Sequence, residues 1–341
     1  MKVDSDGGTA LEPRDVVKAA VEAERIGYDA IWLPEARHDP FIGLALAAER
    51  TERIELGTSI AVAFARNPMT TAMLANDLQL VSGGRFILGL GSQIEAHITK
   101  RFSMPWSRPA ARMREFVCAI RAIWDSWATG DRLKFRGDFY THTLMTPFFS
   151  PGPNPYGNPE IYLAGVGEYM TEVAGEVADG FICHPFTTER HLREVTLPAL
   201  RRGRAKAGGS LDGFEISRPS LLVTGNDERE LAAAVKAAKQ QIAFYGSTPA
   251  YRQVLDLHGW GDLQDELNRM SKRGQWDEMS AAIDDEVLET FAVVGEPEQI
   301  ADQLAKRYGD IATRVSFYAP DNSGQRRWAK VFAALRMAED S

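Results

Sequence analysis

The 341-residue chain is predicted to fold as a (β/α)8 barrel with insertions. Three observations predict it. A helical stretch ending in a turn and followed by a short apolar run recurs along the chain. The apolar runs are continuous rather than alternating, so the strands are buried on both faces, as in a parallel sheet covered by helices. With further strands placed at residues 2–4, 215–223 and 314–318, the count of candidate strands reaches eight. A doubly wound open sheet shares these local features, and local patterns do not separate the two.

The first strand is placed at residues 2–4. In "DVVKAAVEAERIGYDAIWL", Val16, Val17, Ala20, Val21 and Ala23 recur at helical spacing. Gly27 suits the left-handed position just past the helix, and residues 30–33 form the second strand. "FIGLALAAERTERIELGTSIAVAF" repeats the unit with a strand at 54–60, and "TTAMLANDLQLVSGGRFILGLG" with one at 86–90. "PEIYLAG" and "TEVAGEVADGFICH" add strands at 160–164 and 180–183. "EISRPSLLV" and "RVSFY" add 215–223 and 314–318. Two stretches break the rhythm. Residues 130–158 are rich in aromatics, Pro and Gly, and residues 225–290 hold helical runs such as "ERELAAAVKAAKQQIAFYG". Both read as insertions of the kind that build lids and pockets. Later, Pro297 suits a helix start and Lys306/Arg307 its last turn. No linker or repeat is evident, so residues 1–341 are expected to form a single domain.

The net charge of −8 argues against a nucleic-acid partner. No run approaches the ~18 apolar residues of a membrane span, and "MKVDSDGG" lacks the apolar segment of a signal peptide. A cytoplasmic location is expected. Two cysteines do not make a disulfide scaffold: Cys118 sits in a helical apolar pattern and Cys183 ends the run "GFIC".

Barrel chemistry sits at the C-terminal ends of strands. Strand two is followed by Glu35, Arg37, His38 and Asp39 in "WLPEARHDPF". Strand four ends in "GLGSQIEAH" and strand five in "AGVGEYM". Gly165 and Gly167 before a helix form an anion cradle, although the full G-x-G-x-x-G is missing and a tight turn explains such glycines equally well. The six histidines form no H-x-H or H-E-x-x-H pair, and no G-x-S-x-G elbow occurs. The residues alone therefore point to a barrel that binds an anionic small molecule.

"AERIGYDAIWLPE", "TERIELGTSI", "NPMTTAMLANDLQLVSGGRFILGLGSQ" and "YLAGVGEYMTEVAGEVADGFI" resemble the bacterial-luciferase-like monooxygenase family, in particular its branch that uses the deazaflavin coenzyme F420. The resemblance runs through the first 200 or so residues, and "FAVVGEPEQIADQLAKRYGD" resembles the family's late helix. It implies a (β/α)8 barrel with F420 across the strand ends, exchanging a hydride with a small or lipid-like organic substrate. It implies a bulge and a non-proline cis peptide at Ser59–Ile60 behind the ring. It assigns cofactor contacts to Ser59, Ile60, Gly91, Ser92, Gln93, Ala164, Gly165, Val166 and Gly167, with Lys100, Arg101 and Arg108 as candidate partners for the cofactor's carboxylates. Many alcohol-oxidising members carry an acid followed by His after strand two. Here that pair is Glu35-Ala36, so Glu35 and His38 are rival candidates for proton transfer. Trp106, Phe139, Tyr140, Phe148 and Phe186 are candidate pocket aromatics. The family also implies a homodimer or larger homo-oligomer. An FMN monooxygenase of the same fold and a non-catalytic binder of F420 or another anion are the alternatives.

Overall fold

The computed structural model describes residues 1–8, 11–318 and 326–339. Its fold class is the (β/α)8 barrel. The strands are β1 (Lys2–Asp6), β2 (Ala30–Leu33), β3 (Glu55–Thr58), β4 (Ala61–Val62), β5 (Phe86–Gly91), β6 (Phe135–Arg136), β7 (Thr141–His142), β8 (Glu160–Gly165), β9 (Gly180–Cys183), β10 (Glu215–Val223), β11 (Ala292–Val294) and β12 (Arg314–Tyr318). The main sheet runs β11-β10-β12-β1-β2-β3-β5-β8-β9, with β4 beside β5 and β9 also paired to β10.

The eight expected strands are present, and four have different bounds. The first extends to Asp6, and the fourth and fifth gain a residue, ending at Gly91 and Gly165. The third, expected at 54–60, is two short strands split at Ser59–Ile60. Its register shows why: Leu56 pairs with Phe86, an offset of 30 residues, but Ala61 pairs with Leu90, an offset of 29. One extra residue on this side makes a β-bulge. The stretch "FAVV" contributes β11, three residues too short to register as a strand. The 130–158 stretch contains the β6–β7 hairpin.

The chain divides into two compact units. One comprises residues 4–182 and 199–215. It contains β2 to β9 up to Ile182, together with the helices α1 (Pro13–Ile26), α2 (Pro40–Ala48), α3 (Pro68–Val81), α4 (Pro109–Thr129) and α5 (Glu168–Val177). Helix α1 ends where the sequence predicts, with Gly27 at φ 102° accepting the left-handed cap. Its Val16, Ala20 and Ala23 are buried, whereas Val21 faces solvent. Strand β2 is buried at all four positions, so its apolar run is continuous. Inside this unit, Ala30, Trp32, Ile87, Tyr162 and Ile182 form one core cluster. The Trp32 indole donates to Asp4 Oδ2 at 2.8 Å, which satisfies a buried polar group at little cost.

The other unit comprises residues 1–3, 183–198 and 216–341. Here β10 pairs with β12 in parallel, Ser217 opposite Arg314 and Leu221 opposite Tyr318. Its 225–290 stretch is helical, chiefly Glu228–Gly246 and Gly261–Lys272. The helix Pro297–Tyr308 has the expected proline start and a reciprocal cap between Glu296 and Gln299.

Candidate active site

The ends of β2, β3/β4, β5 and β8 carry most of the residues assigned from the sequence. The Ser59–Ile60 peptide is cis. The flanking backbone is held to β2: Ser59 N donates to Leu33 O at 2.8 Å, and Glu35 N donates to Ile60 O at 3.0 Å. The half-buried side chains of Ile60 and Ala164 both pack on the Trp32–Tyr162 core cluster and form an apolar platform at the strand ends.

Two glycines make this platform possible. A Cβ on Gly91 would lie 2.8 Å from Ile60 Cγ1, and one on Gly89 only 1.8 Å from Thr58 O. Thr58 Oγ1 closes the same junction by donating to Gly89 O at 2.7 Å and accepting from Gly89 N at 2.9 Å. Beyond Gly91, Ser92 Oγ donates to Gln93 O at 3.0 Å, and Gln93 sits at φ 60°. The β8 turn brings Gly165, Val166 and Gly167, all half-buried, to the N-terminus of α5. The first amides of a helix lack intrahelical acceptors and favour an anion. A Cβ on Gly165 would press on Met170 at 3.0 Å, whereas Gly167 is open. Glu168 in the first turn would oppose an anion, but its carboxylate is drawn away to Arg202.

The charged stretch after β2 divides into two pairs. Glu35 and Asp39 both bind Arg66. Arg66 Nη1 donates to Glu35 Oε2 at 2.5 Å, and Nη2 donates to Asp39 Oδ2 at 2.6 Å. Glu35 Oε2 also accepts from Val62 N at 2.7 Å, and its side chain is 9% exposed. Asp39 in addition caps α2 through Phe41 N. Arg37 and His38 are exposed, and His38 lines a shallow cleft with Gly8, Leu33 and Pro34. Lys100 is exposed. Arg101 reaches Ala36 O at 2.7 Å, and Arg108 pairs with Asp138.

Asp6 was missed by the sequence reading, which stops the first strand at residue 4. It ends β1, beside Trp32 in register, and shares a strand face with the buried Asp4 two residues earlier. Burial pushes its carboxyl up to about 6, against a hydrogen bond from Gly8 N that lowers it. The alternation Asp4, Asp6 was the available signal. Burial likewise pushes the Cys183 thiol up to about 12, which leaves it inert.

Of the candidate aromatics, Phe148 is 88% exposed. Tyr140 packs edge-on against Phe116, and Trp106 against Phe64. Phe186 lies in the other unit, stacked on Phe291 at 4.3 Å.

A parallel barrel with an apolar platform and a helix N-terminus among its strand ends defines a ligand-holding barrel enzyme fold. The chain belongs to the luciferase-like monooxygenase family, whose model matches residues 1–314. An uncharacterised protein of Mycobacterium tuberculosis is 56% identical over 310 residues, 91% of each chain. An F420-dependent glucose-6-phosphate dehydrogenase of Intrasporangium calvum is 29% identical over 94% of this chain and 93% of its own. Among solved structures, the coenzyme F420 dependent tetrahydromethanopterin reductase of Methanopyrus kandleri shares the fold at a TM-score of 0.78, with 21% identity over 98% of this chain and 97% of that one.

Proposed function

We propose that this protein is an F420-dependent oxidoreductase that moves a hydride between the deazaflavin and an organic substrate. The observation that carries the reading is the Ile60–Ala164 platform together with the β8 turn at the α5 N-terminus. Half-buried apolar side chains at the strand ends suit a fused ring, and the first amides of a helix suit the phosphate of its tail. Relatives named as F420-dependent enzymes support the choice of cofactor. When bound, F420 would supply the hydride acceptor or donor.

In this reading Ser59 and Ile60 back the ring. Gly91, Ser92 and Gln93 line one side, and Ala164 to Gly167 hold the phosphate. Lys100 and Arg101 offer charge to the tail. Glu35, committed to Arg66 and Val62 N, positions the bulge. Proton transfer then falls to Asp6, whose raised pKa suits an acid–base role, or to His38. A second copy of the chain is the partner that the exposed apolar side chains of α2 and α3 call for.

The test is titration of purified protein with F420 and, separately, with FMN, followed by cofactor fluorescence. F420 is expected to bind at micromolar concentration or tighter, and far more tightly than FMN. Binding of FMN alone moves the protein to a flavin monooxygenase. Binding of neither leaves an anion-binding barrel without this redox chemistry.

A further inference from the structure

Ala237, Gln240, Gln241 and Phe244 of the helix Glu228–Gly246 line a groove of about 300 Å³ together with Trp276, Asp277 and Met279 of the short helix Trp276–Met279. The first four recur at helical spacing and share one side of their helix. Gly274, at φ 71°, turns the chain just before Trp276, and the short helix lies against the long one. All seven residues belong to the unit that contains residues 216–341, and none is among those assigned to the cofactor. The volume is at the lower end for a ligand pocket and suits a single ring.

Two kinds of surface meet in the groove. Phe244 and Trp276 are each 51% exposed, and Met279 is buried beside them. The two rings lie 6.2 Å apart at 45°, a corner rather than a sandwich, so a ligand rests on one face and abuts the other. Around them stand four polar groups: the Gln240 and Gln241 amides, the Trp276 indole N–H and the Asp277 carboxylate. None of the four makes a hydrogen bond among the described residues. Among those residues no cation lines the groove; Lys239 extends from the same helix to Asp285 at 2.8 Å instead.

We propose that this groove is a second ligand site and that it takes an uncharged sugar ring. Each glutamine amide brings N–H donors and an acceptor oxygen, the indole adds a donor, and the carboxylate adds acceptors. A hydroxyl both donates and accepts, so a ring that carries several of them engages both halves of this set. The C–H face of a pyranose then covers the exposed aromatic carbon. Other ligand classes use the set less well. An anion meets the Asp277 carboxylate with no cation to offset it. An organic cation gains from the rings and from Asp277 but leaves the amide and indole N–H groups idle. A hydrocarbon strips water from four polar groups and returns no hydrogen bond. The inference goes beyond the oxidoreductase reading and does not rest on it.

The test follows the indole N–H resonances of the seven tryptophans in full-length, 15N-labelled protein. The Trp276 signal is the one lost in Trp276→Phe. Methyl β-glucoside, methyl β-galactoside and maltotriose are the sugar probes. At least one should shift the Trp276 signal saturably at millimolar concentration, and choline, inorganic phosphate and toluene should bind about fivefold or more weakly. Tighter binding of maltotriose than of the methyl glycosides marks a glycan as the source of the ring, and equal binding marks a free sugar; both support the proposal. Gln240→Ala and Asp277→Ala should each weaken the sugar about fivefold and leave F420 binding unchanged. A Trp276 resonance that none of the three sugars moves overturns the proposal. So does one moved as readily by choline, phosphate or toluene, or an Asp277→Ala variant that binds the sugar as wild type does. A signal that moves with protein concentration but not with sugar makes the groove an interface between copies and overturns it too. Should a variant not fold, the wild-type ranking of the sugars against choline and phosphate decides. F420 binding is measured on separate samples, so a failed cofactor reading and a failed groove are distinct results.

Discussion

Arg66 holds two carboxylates at once, and its side chain is 14% exposed. Removing it strands Glu35 with a nearly buried charge. Arg66→Met should lower stability by about 3 kcal/mol, read by urea denaturation, because an uncompensated buried charge costs that much. Adding Glu35→Gln should restore part of the loss; a single variant as stable as wild type would show that the cluster is structurally idle. Asp6 makes a pH-dependent prediction. Its ordinary value is 3.8 and its folded value about 6, so the native state binds the extra proton between them. Its contribution to stability is therefore fully present below the lower value and is lost as pH rises through that window, by up to ~3 kcal/mol. Asp6→Asn should flatten this part of the melting-temperature profile. Parallel profiles for the two proteins would remove the raised pKa. The sequence placed four charges after β2 but did not say which were free. That division depends on Arg66, which lies 27 residues or more away along the chain.

The junction of β3, β4 and β5 turns on two glycines with different neighbours. On Gly89 a methyl meets the backbone carbonyl of Thr58, which has nowhere to go, so Gly89→Ala should cost several kcal/mol or prevent folding. On Gly91 it meets the side chain of Ile60, which can rotate. Gly91→Ala should keep the fold and weaken F420 binding about tenfold, because the platform would shift. Unchanged F420 affinity in a folded Gly91→Ala protein would detach Ile60 from the cofactor. The apolar run at 54–60 gave the strand, the family resemblance gave its bulge at Ser59–Ile60, and the pairing register with β5 shows that bulge.

Across the molecule, α2 exposes Ile42 and Leu46 one turn apart, at 58% and 43%, and the adjacent α3 exposes Met73, Leu74, Leu80 and Val81. An apolar stripe spanning two packed helices is larger than scattered surface residues explain and fits an interface between copies. Light scattering after gel filtration should find a dimer or larger assembly, and Leu46→Glu with Met73→Glu should shift it toward monomer with the fold intact. A wild-type monomer at high micromolar concentration would leave the stripe without this explanation.

Local chemistry is what the sequence by itself determined. Unbroken apolar runs marked strands such as β2, β5 and β9, because burial on both faces leaves no room for alternation, whereas β1, β10 and β12 carry buried polar residues. Gly27 and Pro297 marked helix ends, because caps depend on neighbours within a turn. The charge of −8 and the histidine spacing narrowed the chemistry. What needs partners distant in sequence was decided by tertiary structure: the capture of Glu35 and Asp39 by Arg66 and the burial of Asp6. Those properties come from desolvation and from pairs brought close only by folding, and no local pattern encodes them.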